Sequence, residues 1–152
     1  MMTLTTKREL YRLCQDYINK RVETSRAAIV DAQLSANEET KSSAGDKYET
    51  GRAMAQLEIE KNAQQLAESL KIKGALDQMR IDDTPETVQS GSLVATDRGI
   101  YFIAISMGKV ELNGEPYVIV APASPLGKQL MGLRIGETTT FNKLTYRIRE
   151  LI

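Results

Sequence analysis

The first half of the chain carries its apolar and small side chains in two narrow stripes, with spacings of three and four residues. The first stripe consists of Cys14, Ile18, Val22, Ser25, Ile29 and Ala32, and the second of Ala55, Ile59, Ala63, Leu66 and Leu70. Such spacing predicts amphipathic helices that pair along a seam as narrow as that of a two-stranded coiled coil. A polar segment, Asn37 to Gly45, separates the stripes. We therefore predict two antiparallel helices, each of about 33 residues and roughly 50 Å long.

The boundary of this helical half is marked by a change in composition. Residues 7–79 contain no proline and are rich in alanine, glutamate, glutamine, lysine and leucine, which favour helices. The charged segment Asp82-Asp83-Thr84-Pro85 follows, and segments of this kind often connect domains. The sequence thus predicts a helical hairpin over residues 1–80 and a second domain over residues 86–152.

Short β-branched and aromatic runs predict a sheet in the second domain. They are Leu93 to Thr96, Ile100 to Ser106, Lys109 to Leu112, Tyr117 to Ala121, Thr138 to Phe141 and Leu144 to Leu151. Asn113-Gly114 and, more weakly, Asn142-Lys143 indicate two-residue hairpin turns. Ser124, Pro125 and Gly132 predict the start and the end of a short helix. We expect an α+β fold: an N-terminal antiparallel coiled-coil hairpin and a C-terminal antiparallel sheet with one short helix.

Composition excludes several classes of enzyme. The chain contains no histidine and one cysteine, so it cannot form a histidine-dependent nucleophile, a histidine metal site or an internal disulfide. Cys14 lies on the first stripe, and we expect a buried, unreactive thiol in a reducing, cytoplasmic compartment. No apolar run is long enough to span a membrane, and twenty basic residues balance twenty acidic ones. The basic residues near the start are interpreted as a solvated helix face.

Two carboxylates stand at the predicted start of the second helix, in the segment that we call the tip (residues 41–52). Asp46 and Glu49 have the spacing of a capping box, which would stabilise the first turn of that helix. The same pair offers oxygen ligands to Mg²⁺, which takes one or two protein carboxylates and completes its shell with water and phosphate. The two interpretations are compatible, because a cap needs only one oxygen of each carboxylate.

The segment from Ala123 to Glu137, ASPLGKQLMGLRIGE, resembles the C-terminal signature of the bacterial Gre-type transcript-cleavage factors. The tip resembles that family as well, since Gly45, Asp46 and Glu49 match its Gly-Asp pair followed by a glutamate. The resemblance implies a coiled-coil hairpin that enters the secondary channel of RNA polymerase and an FKBP-like C-terminal domain that docks outside. It also implies a monomeric protein without catalytic activity of its own.

The resemblance further implies roles for individual residues. Asp46 and Glu49 would share Mg²⁺ with the polymerase and orient water, so that the polymerase hydrolyses a backtracked transcript; no cofactor would be bound by the chain alone. Lys41 and Arg52 are candidates for contact with the 3′ end of the nascent RNA. The corner of Ser124, Pro125 and Leu126 is a candidate for docking on the polymerase.

Three alternatives remain open from the sequence. The tip has Lys47 and the run Thr50-Gly51-Arg52-Ala53 where the family has other residues, which leaves room for a channel-binding regulator without cleavage activity. A prolyl isomerase would use the FKBP-like domain, although its few aromatic residues are needed for a core. A plain interaction protein could pair its helices with a second copy as a swapped dimer.

Overall fold

The structure, a computed structural model, confirms the α+β class. It describes residues 2–41 and 45–152, and the side chains of residues 2–38 and 49–152. Two long helices come first, α1 (Leu4–Lys41) and α2 (Gly45–Asp77). The remaining elements are β1 (Leu93–Thr96), β2 (Gly99–Ile103), β3 (Gly108–Leu112), β4 (Glu115–Val120), α3 (Pro125–Leu130), β5 (Thr138–Phe141) and β6 (Leu144–Leu151).

The chain divides into two compact units. The sheet unit consists of Met1–Gln15 and Ala75–Ile152, and the helical unit consists of Asp16–Gly74. The sheet unit therefore includes the first turns of α1 as well as the end of α2. The predicted domains, residues 1–80 and 86–152, would be parts of the chain that fold independently, and this division stays a prediction.

The stripe predicted on α1 is the side of the helix that is removed from water. Ile29 is half-buried, and the other five predicted positions are buried: Cys14, Ile18, Val22, Ser25 and Ala32. In the helical unit, residues 17–25 of α1 line one groove with residues 65–69 of α2, and Ala32 and Ser35 line a second groove with residues 51–58. The groove with the higher residue numbers on α1 has the lower residue numbers on α2. The two helices therefore run in opposite directions, which confirms the predicted antiparallel pairing in this unit.

The stripe predicted on α2 is partly wrong. Ala63 is exposed and Leu70 is 40% exposed, whereas Ser69 and Leu76 are buried. Between Ala55 and Leu76 the protected positions of α2 include the series 55, 59, 62, 66, 69, 73 and 76, whose spacings alternate between four and three; Ile72 is half-buried beside this series. Alternating spacings of four and three sum to seven, the heptad period, and so keep this stripe of α2 facing the partner helix. Register therefore selects Ser69 for the seam over the more apolar Leu70.

The connection between the helices is shorter than predicted. Helix α1 continues to Lys41, and α2 begins at Gly45, so much of the expected polar connection is helical. Residues 37–41 contain no glycine or proline and include two glutamates and a lysine, which are good helix formers. Polarity alone therefore does not end a helix.

The six strands form one sheet in the order β3-β4-β2-β1-β6-β5. All neighbouring strands are antiparallel except β2 and β4, which are parallel, so the expectation of a wholly antiparallel sheet is wrong at this pair. After β2 the chain forms β3 at the edge of the sheet. A two-residue turn then leads into β4, which lies between β3 and β2. β2 ends at Ile103 and not at the predicted Ser106.

The central strands β1 and β2 are buried on both faces. Val94 opposes Tyr101 on one face, where they form a core with Leu130 of α3 and Ile148 of β6. The neighbouring pair, Leu93 and Phe102, lies on the other face and is fully buried as well. On that second face Tyr117 of β4 is buried, and the Thr6 side chain in the first turn of α1 lies close to it. Burial on both faces accounts for the continuous apolar runs of these strands.

Both predicted hairpin turns are confirmed by the backbone. Asn113 and Gly114 have φ angles of 52° and 78°, and Asn142 and Lys143 have φ angles of 49° and 65°. Positive values at both central residues are those of a type I′ turn, whose twist matches that of the flanking strands. The turns fix the registers of β3 with β4 and of β5 with β6.

The start of α3 is also as predicted, and it depends on close packing at Gly127. Ser124 caps the helix: its Oγ accepts a hydrogen bond from the Gly127 N–H (3.1 Å) and donates one to the Ala121 carbonyl (2.7 Å). A Cβ atom on residue 127 would lie 2.1 Å from the Ala121 oxygen. Pro125 follows the cap, where its missing N–H costs no hydrogen bond.

We expect Gly127→Ala to destabilise the protein by about 3 kcal/mol or more, because the new methyl group must displace backbone atoms. Urea unfolding followed by circular dichroism measures the effect. Gly74→Ala is the matched control: Gly74 lies in α2, no atom lies within 4 Å of the place that an added methyl group would take, and alanine there should be neutral or stabilising by up to about 1 kcal/mol. Equal stability of the two variants would contradict the packing argument.

Candidate functional site

The predicted tip carboxylates occupy the first turn of α2. The helix begins at Gly45, one residue before the predicted cap, so position 46 lies within the helix. Positions 46 and 49 are three residues apart and share one face of it. The Glu49 side chain is exposed. The side chains of Asp46 and Lys41 lie outside the described residues, as do the hydrogen bonds of the predicted capping box.

Arg52 places a guanidinium one turn beyond Glu49. It is exposed and stands three residues after the glutamate, on the same side of α2. A carboxylate can accept hydrogen bonds from water or bind a metal ion, and a guanidinium can bind a phosphate through two parallel hydrogen bonds. The first two turns of α2 thus expose both kinds of group to solvent.

The carboxylates could supply part of a magnesium site. Mg²⁺ takes carboxylate oxygens at one or two positions and retains several waters, and the exposed Glu49 is a ligand of this type. Among residues 2–41 and 45–152, no group of three or more Asp, Glu, Cys or His side chains could hold a metal ion.

The predicted docking corner is largely occupied by contacts within the chain itself. Both hydrogen bonds of the Ser124 hydroxyl are made within the corner, and Leu126 is half-buried against the core of the sheet unit. Pro125 is exposed. Of the three candidates, Pro125 therefore offers the surface that another molecule could contact.

The basic start of α1 is not simply a solvated face, which corrects the interpretation from sequence. Lys7 is 1% exposed, and its Nζ donates a hydrogen bond to the Asp83 carbonyl. Burial lowers the pKa of Lys7, against an opposing effect of Asp83 and Asp82. Arg8 forms an ion pair with Asp82 (2.9 Å). These contacts hold the segment after α2 against the first turns of α1, within the sheet unit.

Comparisons with known proteins identify no family for this chain. No family model matches the chain, and no curated protein matches it. Among solved structures, "Structure of the transcription factor Gfh1" is similar at 18% identity over 90% of this chain and 92% of that chain, with a TM-score of 0.36. A similarity this loose transfers no residue role. No helix in the described part of the chain is long and apolar enough to cross a membrane.

We expect Cys14 to be unreactive in the native protein. Its side chain is fully buried, and burial raises the pKa of its thiol to about 12, so almost no thiolate exists at pH 8. A maleimide should react with the native protein at least about a hundredfold more slowly than with the chain unfolded in urea, with mass spectrometry as the readout. Equal rates in the two states would show that the first stripe opens readily.

Proposed function

We propose that the chain is a transcription factor that binds RNA polymerase and presents the carboxylates of Asp46 and Glu49 to the polymerase active site. There the two side chains assist the hydrolysis of backtracked transcripts. The exposed position of Glu49 in the first turn of α2 carries the proposal. The resemblance of the tip and of residues 123–137 to Gre-type factors supports it.

The helical unit is suited to deliver these groups into a narrow space. Residues 16–41 of α1 provide about 40 Å of helix, and α2 returns beside them. Positions 46 and 49, at the start of α2, lie at one end of this unit. A helix pair is roughly two helix diameters across, about 20 Å, so a channel of modest width could admit it.

The chemistry follows from the residues that the tip offers. Mg²⁺, when held jointly with polymerase carboxylates, would lower the pKa of its bound water and stabilise charge on the phosphate. Glu49 would contribute one oxygen to the ion or accept a hydrogen bond from the attacking water. Asp46, three residues earlier on the same face of α2, would do the same. Arg52 would neutralise a transcript phosphate, which reduces the repulsion between the RNA and the two carboxylates.

The corner at Ser124 would serve in docking rather than in chemistry. The hydroxyl and Gly127 hold a fixed turn, and that turn exposes Pro125 at a defined place on the sheet unit. A rigid exposed corner loses little conformational freedom on binding. The FKBP-like character of this unit stays part of the proposal.

The test is a cleavage assay on a stalled elongation complex, with gel-resolved RNA as the readout. We expect the wild-type chain to stimulate shortening of the transcript, and Asp46→Asn together with Glu49→Gln to reduce the rate by at least about a hundredfold, as expected when groups that bind a catalytic ion are neutralised. These substitutions keep the side-chain shapes and remove the charges. Asp31→Asn, at an exposed position of α1, is the matched control and should retain the full rate.

Three other results would change the conclusion. Undiminished stimulation by the double variant would refute the role of the carboxylates. Binding to the polymerase without any transcript shortening by the wild type would indicate the channel-binding regulator instead. Turnover of a proline peptide by the intact chain would favour a prolyl isomerase.

A further inference from the structure

The helical unit contains a polar groove that the proposed function does not use. The groove has a volume of about 490 Å³ and lies between α1 and α2. One wall is formed by α1 and the other by α2; the lining residues are Tyr17, Lys20, Arg21, Thr24 and Ser25 on α1, and Gln65, Glu68 and Ser69 on α2. Binding sites for small molecules commonly have volumes in this range.

Ser69, one of the lining residues, carries a buried hydroxyl that has no hydrogen-bond partner in the described part of the chain. Ser69 is 1% exposed, and its Oγ has no hydrogen-bond partner among the described residues. A buried hydroxyl that lacks a partner is unfavourable by about 1 to 3 kcal/mol, and an alanine in the same place would avoid that. Ser69 at a seam position thus lowers the stability of the helix pair. A ligand that accepts a hydrogen bond from its hydroxyl would remove this destabilisation.

The groove is also cationic on its α1 wall. Lys20 and Arg21 project from consecutive positions, and no carboxylate in the described part of the chain lies within ion-pair distance of either. The guanidinium of Arg21 lies 6.0 Å from the centre of the Tyr17 ring, which holds it near the groove. Glu68 is the one acidic residue in the lining, so the balance of charge favours an anion.

We propose that this groove binds a small molecule through a phosphate or pyrophosphate group. The two cations would neutralise its charge, and the hydroxyls of Ser25 and Ser69 would donate hydrogen bonds to its oxygens. Arg21 offers the paired N–H groups that match two phosphate oxygens. The single carboxylate, Glu68, would accept a hydrogen bond from the organic part of the ligand. Positions 46 and 49 take no part, so this site stands apart from the proposed function.

Isothermal titration of the intact chain with inorganic pyrophosphate tests the site. We expect saturable binding that Arg21→Gln weakens at least about tenfold, since a charge-assisted pair of hydrogen bonds is lost. Ser69→Ala should weaken it about threefold or more while leaving thermal stability equal or higher, which separates a binding role from a structural one. Arg26→Gln removes the same charge from an exposed position of α1 outside the groove, and it should change the affinity less than about twofold.

A second arm identifies the source of the phosphate. Tighter binding of a nucleoside triphosphate than of pyrophosphate assigns the site to a nucleotide, and equal binding assigns it to the free anion. In either case, the amide resonances of Arg21 and Ser69 should shift on addition of ligand. Absence of saturable binding, an equal loss in the Arg21 and Arg26 variants, or affinity only for long oligonucleotides would overturn the proposal.

Discussion

The heptad seam between α1 and α2 is the constraint on which the helical unit depends. Each helix protects one narrow stripe, whose spacings of three and four residues keep it close to the heptad period of seven. Most of the surface of both helices is left to polar and charged residues, because a two-helix unit has no broader core. The seam is also what keeps the start of α2 adjacent to the end of α1, and hence fixes where Glu49 stands. Fold and candidate site are set by the same pattern in this unit.

Local signals in the sequence are sufficient for much of the fold. The bounds of β1, β5 and β6 agree with the prediction, and the turn between β5 and β6 is marked by positive φ angles at Asn142 and Lys143. The corner at Ser124 is predictable because a capping residue and a proline stand at consecutive positions. The parallel pairing of β2 with β4 escapes prediction because it depends on strand order in the whole sheet. No local residue indicates that β3 lies at the edge.

The candidate sites divide in the same way. The tip carboxylates are identified from spacing and from a family resemblance, and both signals lie in a short segment. The burial of Lys7 escapes prediction, because a lysine near a chain end resembles any solvated charge until the segment containing Asp83 packs over it. The groove at Ser69 was not predicted for a related reason, because the apolar pattern of the sequence favours Leu70 as the seam residue. Counting strict heptads back from Leu76 to Ala55 would place Ser69 in the seam.

Polar residues in a coiled-coil seam have two common explanations, and the position of Ser69 distinguishes between them. A polar seam residue can fix the register of a helix pair, but that role requires a partner across the seam, and the described residues provide none for the Ser69 hydroxyl. A polar seam residue can instead lower the stability of the helix pair and contribute to a binding site, because residues at functional sites are commonly destabilising. Unpaired cations beside an unpaired hydroxyl, in a groove of about 490 Å³ within the described part of the helical unit, agree with the second explanation. Under the two proposals the helical unit has two distinct polar regions. The acidic region at the start of α2 would act on another molecule, and the basic region between the helices would receive a ligand.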